Sequence, residues 1–401
     1  MSSPPGYRYS TKEISYVLRR PRRNAAARPR RREGSLLGAF YKFIVEHQIG
    51  LAITLLLPLL IAHVLFPWTR GHTRKYFELS HHHAATQTYG PGWDDLPFVF
   101  FWLVIFTGMR SAVMDYVLKP LALRGGIHRK KAMQRFSEQG WLVIYYTLSF
   151  GVGMRLWMSS KYWLNLRELW TDFPDTEMSA LMKRYYLIQF AFWLQQIVVI
   201  NIEKRRKDYW QMLTHHFITC ALLVSSYAFY MTRVGNVILC LMDVADIVLS
   251  SAKVLRYLAY QTACDVAFGI FIATWFISRH VFYTMVVWSV WADLPVYLHL
   301  GCYSASTGEK LEHETGSELS HYMQPFSQSG DVVCFDKYVH WQFLGLLVSL
   351  KCLLLAWFAM IFNVAWRVLK GQGAADSRSD DESEEEVNGS ANGRGRQMKR
   401  G

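Results

Sequence analysis

The chain of 401 residues holds six cysteines but no Cys-x-x-Cys pair, so a zinc site of the usual thiolate spacing is not expected. Its fourteen histidines form no HxxHH boxes, which excludes the membrane di-iron oxygenases. No internal repeat is visible, and the missing second half weakens a reading as a symmetric transporter. Acidic residues are few against basic ones, 31 against 44, for a formal charge of +13. No small-residue cleavage site follows the first apolar run. That run begins too far in and is too long for a signal peptide, and reads as a retained span.

What the chain has in abundance is hydrocarbon. It is 51% hydrophobic and 15% aromatic, and the apolar residues come in blocks rather than stripes. About eight runs are long enough to cross a bilayer as helices, at 47–67, 96–118, 141–158, 182–200, 211–230, 235–257, 265–291 and 338–369. The third is short, and the fourth carries Gln189, Gln195 and Gln196. The expected fold class is all-α, a polytopic integral membrane protein. The aromatics are read as packing and interfacial anchors.

Basic residues set the expected orientation. They concentrate in 19–32, in the loop 119–140 and in the loop 201–210 (Lys204, Arg205, Arg206, Lys207). These segments alternate with the spans, which places both termini in the cytosol. The positive charge thus reports topology and attraction to anionic membrane lipids rather than a nucleic-acid partner.

Residues 1–35 are Pro- and Arg-rich and expected to be disordered. The tail 371–401 holds an acidic stretch, Asp376–Glu386, around Ser379 and Ser383; it suits acid-directed kinases or is an inert solubilising tail. The sequon at Asn388 falls in this cytosolic tail and should stay unglycosylated. His81, His82 and His83 in the loop 68–95 cannot all point one way and read as a solvated loop. Cys302 and Cys334 share the lumenal loop 292–337, where an oxidising compartment permits a disulfide; two free thiols is the other reading.

The chemistry is expected in the fifth and sixth runs. An ionisable group in hydrocarbon costs on the order of 2.5–3.5 kcal/mol on insertion scales and by default marks a functional site. His215 and His216 open the fifth run, and Asp243 and Asp246 sit inside the sixth. Helical spacing puts His215, Thr219 and Ser226 on one stripe with His216, Cys220 and Tyr227 beside it. Asn236, Asp243, Asp246, Ser250 and Lys253 make one face of the next helix. A hinge as short as Met231–Gly235 makes the two helices antiparallel neighbours, so their polar faces are expected to meet. His215 would lie about 7 Å and Asp246 about 16 Å from the cytosolic side at about 1.5 Å per residue. Arg279 and His280, mid-way along the seventh run, would neutralise an aspartate or line the cavity. A His–Asp pair suits general base catalysis; the alternative is a buried polar network that only fixes packing. No metal is expected.

The segment Trp210–Leu258, WQMLTHHFITCALLVSSYAFYMTRVGNVILCLMDVADIVLSSAKVLRYL, closely resembles the Lag1 motif of ceramide synthases in the TRAM-Lag1-CLN8 (TLC) family. Arg135–Trp141, RFSEQGW, resembles the opening of the TLC domain, and Phe100–Tyr116 supports it. The likeness covers about residues 90–370. It implies a domain layout of a 1–46 arm, two spans with a lumenal loop in 47–132, a TLC domain in 133–373 and a 374–401 tail. The last six spans would form a helical barrel around the His/Asp site.

The resemblance further implies N-acylation of a sphingoid base by a fatty acyl-CoA in the endoplasmic reticulum membrane. It maps the catalytic positions to His215, His216, Asp243 and Asp246. Arg279, His280, Ser226, Tyr227, Asn236 and Lys253 are candidates for substrate binding. Acyl-CoA is a co-substrate, and no other cofactor is needed. Its phosphates would meet Arg205, Arg206, Lys207, Lys253 and Arg256 at the cytosolic mouth, although the positive-inside rule also accounts for those charges. The homeobox-like insert of many animal members is absent, which places the chain nearer the fungal Lag1/Lac1-like branch. That analogy adds homo- or heterodimers and a small single-span accessory subunit, and gives the loop 292–337 an influence on acyl length. Rival readings are a non-catalytic TLC protein for lipid sensing or translocation, and a transporter.

Overall fold

The computed structural model describes residues 46–84, 86–172, 175, 178–202, 208–298, 301–304, 309–311 and 332–370. The arm before Glu46, the tail with Ser379 and Ser383, the basic cluster Lys204–Lys207 and most of the loop 292–337 lie outside these residues. The remainder is mostly helical. Among the described residues five helices are long and apolar enough to cross a membrane: Gln48–Leu65, Trp93–Arg124, Ala180–Ile202, Gln261–Tyr297 and Lys337–Arg367.

In chain order, α1 is Gln48–Leu65, α2 Arg70–Phe77, and α3 Leu96–Val113, which runs through a π turn at Met114–Leu118 into α4, Lys119–Arg124. Next come α5 (Lys130–Met158), α6 (Ala180–Ile202), α7 (Tyr209–Ala228) and α8 (Thr232–Tyr257). α9 (Gln261–Phe276) continues through a π turn at Ile277–Phe282 into α10, Tyr283–Ala292, followed by the single turn α11, Leu294–Tyr297. α12 is Lys337–Leu369. Two small antiparallel pairs interrupt the all-α pattern: β1 (His82–His83) with β2 (Thr88–Tyr89), and β3 (Gly301–Ser304) with β4 (Val332–Phe335). Cys302 faces Cys334 across the second pair and is disulfide-bonded to it. His81, His82 and His83 are exposed at the first.

The expected runs at 141–158, 211–230 and 235–257 are helices α5, α7 and α8, but they fall outside the five. Tryptophan, tyrosine and Arg155 lower the hydropathy of α5, Gln211 and the paired histidines that of α7, and α8 is largely buried within the protein. The basic loop 119–140 is shorter than expected. α4 runs to Arg124 and α5 starts at Lys130, so the charged residues of this stretch largely extend two helices.

Small residues let the helices approach closely, as they do in bilayers where apolar burial gives little driving force between helices. Gly108 of α3 meets Ala52 of α1, and a Cβ at Gly108 would come within 2.6 Å of the alanine methyl. At Gly153 of α5 a Cβ would fall 2.8 Å from Cys240 Sγ of α8, and at Gly235 of α8 it would overlap the Tyr186 hydroxyl of α6. Accordingly α8 packs most extensively on α5 and α9 and only lightly on α7, while α7 packs on α6 and α12. α5 also touches α6, and α12 touches α10.

A buried ion pair fixes the end of the structure opposite the histidines. Lys183 of α6 has no exposed side-chain surface; its ammonium lies 2.8 Å from Asp95 Oδ1 and donates to the carbonyls of Ser80 (2.8 Å) and Gly90 (2.7 Å). Tyr227 donates to Asp95 Oδ2 at 2.7 Å. The loop ahead of α3 is thereby tied to α6 and α7.

Candidate functional site

α7 begins at Tyr209, so His215 and His216 fall in its second turn. Their rings lie 5.5 Å apart, and Trp193 of α6 packs against both, at 5.6 Å from His215 and 5.5 Å from His216. Trp357 of α12 closes the other side of His215 at 5.1 Å. The Nδ1 atoms of both imidazoles are buried and have no hydrogen-bond partner among the described residues. Buried nitrogens of this kind are rare in native proteins and call for an explanation, such as an unseen water or a reacting group.

Asp243 is 1% exposed. Its Oδ2 accepts from Ser149 Oγ of α5 at 2.7 Å and, more weakly, from Gln189 Nε2 of α6 at 3.5 Å. Gln189 also bonds Ser149 and accepts from Tyr145 at 2.7 Å. The other carboxylate oxygen, Oδ1, is buried without a partner among the described residues. One turn further on, Asp246 Oδ1 accepts from Arg279 Nη2 at 2.7 Å.

Arg279 reaches α8 because it sits in the π turn at Ile277–Phe282. The same Nη2 donates to the Met242 carbonyl at 2.9 Å, and the guanidinium stacks on Trp275 at 3.9 Å. It is near enough to Asp243 and to His215 to act on each electrostatically. The next residue, His280, faces α12 instead, where its Nδ1 lies 3.1 Å from Lys351 Nζ and its ring packs on Phe358 at 4.6 Å.

The expected face-to-face meeting of the α7 and α8 polar stripes is therefore corrected. Among the described residues no hydrogen bond joins either histidine to either aspartate. α8 turns its aspartates toward α5, α6 and the π turn, because the close approach at Gly153 and Cys240 docks α8 on α5. Arg279 contacts Asp246 directly and lies within electrostatic reach of His215.

Other candidates lie apart. Ser226 and Tyr227 are about 17 Å along α7 from the histidines at about 1.5 Å per residue. There Ser226 bonds Tyr186 at 2.7 Å and Tyr227 bonds Asp95. Asn236 is fully buried; it accepts from Tyr162 at 3.1 Å and donates to the Gly153 carbonyl at 3.2 Å. Burial pushes the Tyr162 phenol up to about 12, so it stays protonated and remains a donor. Lys253 is two turns beyond Asp246 on the same face of α8. His216 also lines a cleft whose polar walls are Arg110, Glu138, Gln139, Gln196, Asp208 and Tyr209.

Sequence reasoning missed Ser149, Tyr145, Gln189, Trp193, Trp357 and Lys351. The signal for Gln189 was present, since an amide in an apolar run needs a buried partner. Lys351, a charge near the middle of the last run, was equally visible. The tryptophans carried no signal beyond bulk.

The family profile described as the TLC domain matches residues 135–363. A sphingosine N-acyltransferase-like protein of Alternaria alternata is 46% identical over 347 residues, covering 86% of this chain and 77% of that relative. A ceramide synthase of Gibberella moniliformis is 38% identical, covering 82% and 77%. A sphingosine N-acyltransferase of Schizosaccharomyces pombe is 37% identical, covering 90% and 86%.

Proposed function

Because the chain belongs to the TLC-domain family, we propose that it is a ceramide synthase, transferring a fatty acyl group from acyl-CoA to the amine of a sphingoid base. One observation carries this reading to the site: three buried heteroatoms, the Nδ1 atoms of His215 and His216 and Oδ1 of Asp243, lack partners among the described residues. A nearby guanidinium balances the acids. Such a constellation suits a reaction whose proton must move inside the membrane.

The sphingoid amine is mostly protonated at neutral pH and must lose a proton before attack. In the simpler mechanism that first proton is passed out to solvent, one histidine takes a second proton from the nitrogen as it adds to the thioester carbonyl, and the C–S bond breaks as this second proton passes to the departing CoA thiolate. The open Oδ1 of Asp243 receives the incoming ammonium, while Asp246 stays paired with Arg279. In the alternative a histidine attacks first, forming an acyl-imidazole and releasing CoA, and the amine then displaces the imidazole. The thioester is already activated, so neither route requires a metal or a further cofactor.

In this reading there are eight spans in the endoplasmic reticulum membrane with both termini cytosolic. The neighbouring pairs α5–α6, α6–α7, α7–α12, α12–α10, α9–α8 and α8–α5 support a closed ring of the last six. Lys253 and Arg256 would lie toward the CoA phosphates; Arg205, Arg206 and Lys207 fall outside the described residues. A second copy, a related chain or a small single-span subunit is the expected partner.

Microsomes from cells stripped of their own ceramide synthases, given labelled sphinganine or phytosphingosine and a panel of acyl-CoAs, test the proposal. Labelled (dihydro)ceramide from wild type but not from His215→Ala/His216→Ala at equal expression is the expected result. Absence of product from wild type, with and without added accessory subunit, would favour a non-catalytic TLC protein. Acylated enzyme trapped with acyl-CoA alone would select the acyl-imidazole route.

A further inference from the structure

We infer that Lys351 is a positioning residue for Arg279, locking the π turn that aims the guanidinium at Asp246. The link to catalysis rests on the acyltransferase reading above; the lock itself does not. Lys351 lies about 21 Å along α12 from Lys337 at about 1.5 Å per residue, too deep for its ammonium to rest among lipid headgroups. An ionisable group at such depth needs partners inside the protein, and it has three. Nζ donates to the Arg279 carbonyl at 2.9 Å and to Thr284 Oγ1 at 2.8 Å, and lies 3.1 Å from His280 Nδ1.

An ammonium has three protons, so these acceptors account for all of them. All three belong to the π turn or the residues just after it. A π turn inserts one extra residue and takes carbonyls off the regular i→i−4 ladder, which makes it a recurrent feature of functional sites. Thr284 completes the lock by donating its own proton to the His280 carbonyl at 2.6 Å. If the turn relaxed to regular α-helix, the side chains would rotate by about 100° per residue of register. Arg279 would then lose Asp246, the Met242 carbonyl and the face of Trp275 together. Lys351 stands less than two turns from Trp357, which walls His215. One ammonium thus fixes the turn that bears the arginine to the helix that flanks a histidine.

The test compares wild type, Lys351→Met, Lys351→Arg and Thr284→Val as full-length protein in detergent micelles, with two readouts. Amide hydrogen exchange over 277–284 should quicken at least 10-fold in Lys351→Met and by less in Thr284→Val. Exchange in α6 should stay unchanged, and Lys351→Arg should restore protection. Acyl transfer by Lys351→Met should show kcat down at least 10-fold, with KM for acyl-CoA within about 2-fold and partial recovery in Lys351→Arg. Unchanged exchange over 277–284 overturns the lock, whatever the activity. Faster exchange with wild-type kcat overturns the positioning role. If Lys351→Met does not fold, Thr284→Val and Lys351→Arg decide by the same exchange criterion. If wild type makes no product, the acyltransferase reading fails while exchange still judges the lock.

Discussion

Asp243 has one carboxylate oxygen committed to Ser149 and one left open, and the two should separate by mutation. Asp243→Asn keeps the size and loses the charge; the rate of (dihydro)ceramide formation is expected to fall at least about 100-fold, within the range of general acid–base effects. Ser149→Ala removes one hydrogen bond to a charged group, about 1.5–3 kcal/mol, and should cost about 10-fold or more in rate while the protein still reaches the membrane. A Ser149→Ala enzyme with unaltered kcat would show that the orientation of Asp243 is set elsewhere. His215, His216, Asp243, Asp246 and Arg279 were legible in the sequence because each is an ionisable group inside an apolar run. Their hydroxyl partners were not, since serine is common enough in helices to hide, and Gln189 stood out in its run without revealing which carboxylate it serves.

Among the elements, chain order misled where packing decided. A three-residue turn with Tyr230 at φ 57° joins α7 to α8, and such a short link suggested that their polar faces meet. α8 docks instead on α5, whose glycine at 153 leaves room for Cys240. Long apolar periodicity reveals that a helix exists; it does not reveal which neighbour lies against which stripe. Gly153→Val should therefore act on the helix pair rather than the chemistry. Overpacking of this kind costs about 1–3 kcal/mol or more, and the monomer peak of detergent-solubilised protein in size-exclusion chromatography should shrink or move to the void.

For the whole molecule, the Lys183–Asp95 pair says that the family domain does not stand alone. The TLC match starts at residue 135, yet Lys183 within it draws its counter-charge from the loop ahead of α3. Removing one member of a buried pair costs about 3–5 kcal/mol because the survivor is left uncompensated. Lys183→Met should lower the thermal unfolding midpoint in detergent markedly, and Lys183→Met/Asp95→Asn should recover part of the loss. A chain beginning at residue 130 should accumulate far less than the full protein when both are quantified on immunoblots. The sequence revealed eight candidate spans and their order. It could not reveal this tie, because a lysine near a span end looks like an ordinary interfacial anchor.

The Cys302–Cys334 bond also keeps a record of history. A thiol pair closes only in an oxidising compartment, and the other cysteines, Cys220, Cys240, Cys264 and Cys352, are free. Denatured without reductant and treated with a bulky maleimide, a molecule whose loop reached the lumen should accept four tags, and one inserted upside down should accept six. The ladder on a gel would then count chains with the loop in the lumen, the orientation proposed above, against inverted ones, with no epitope, fusion or protease required.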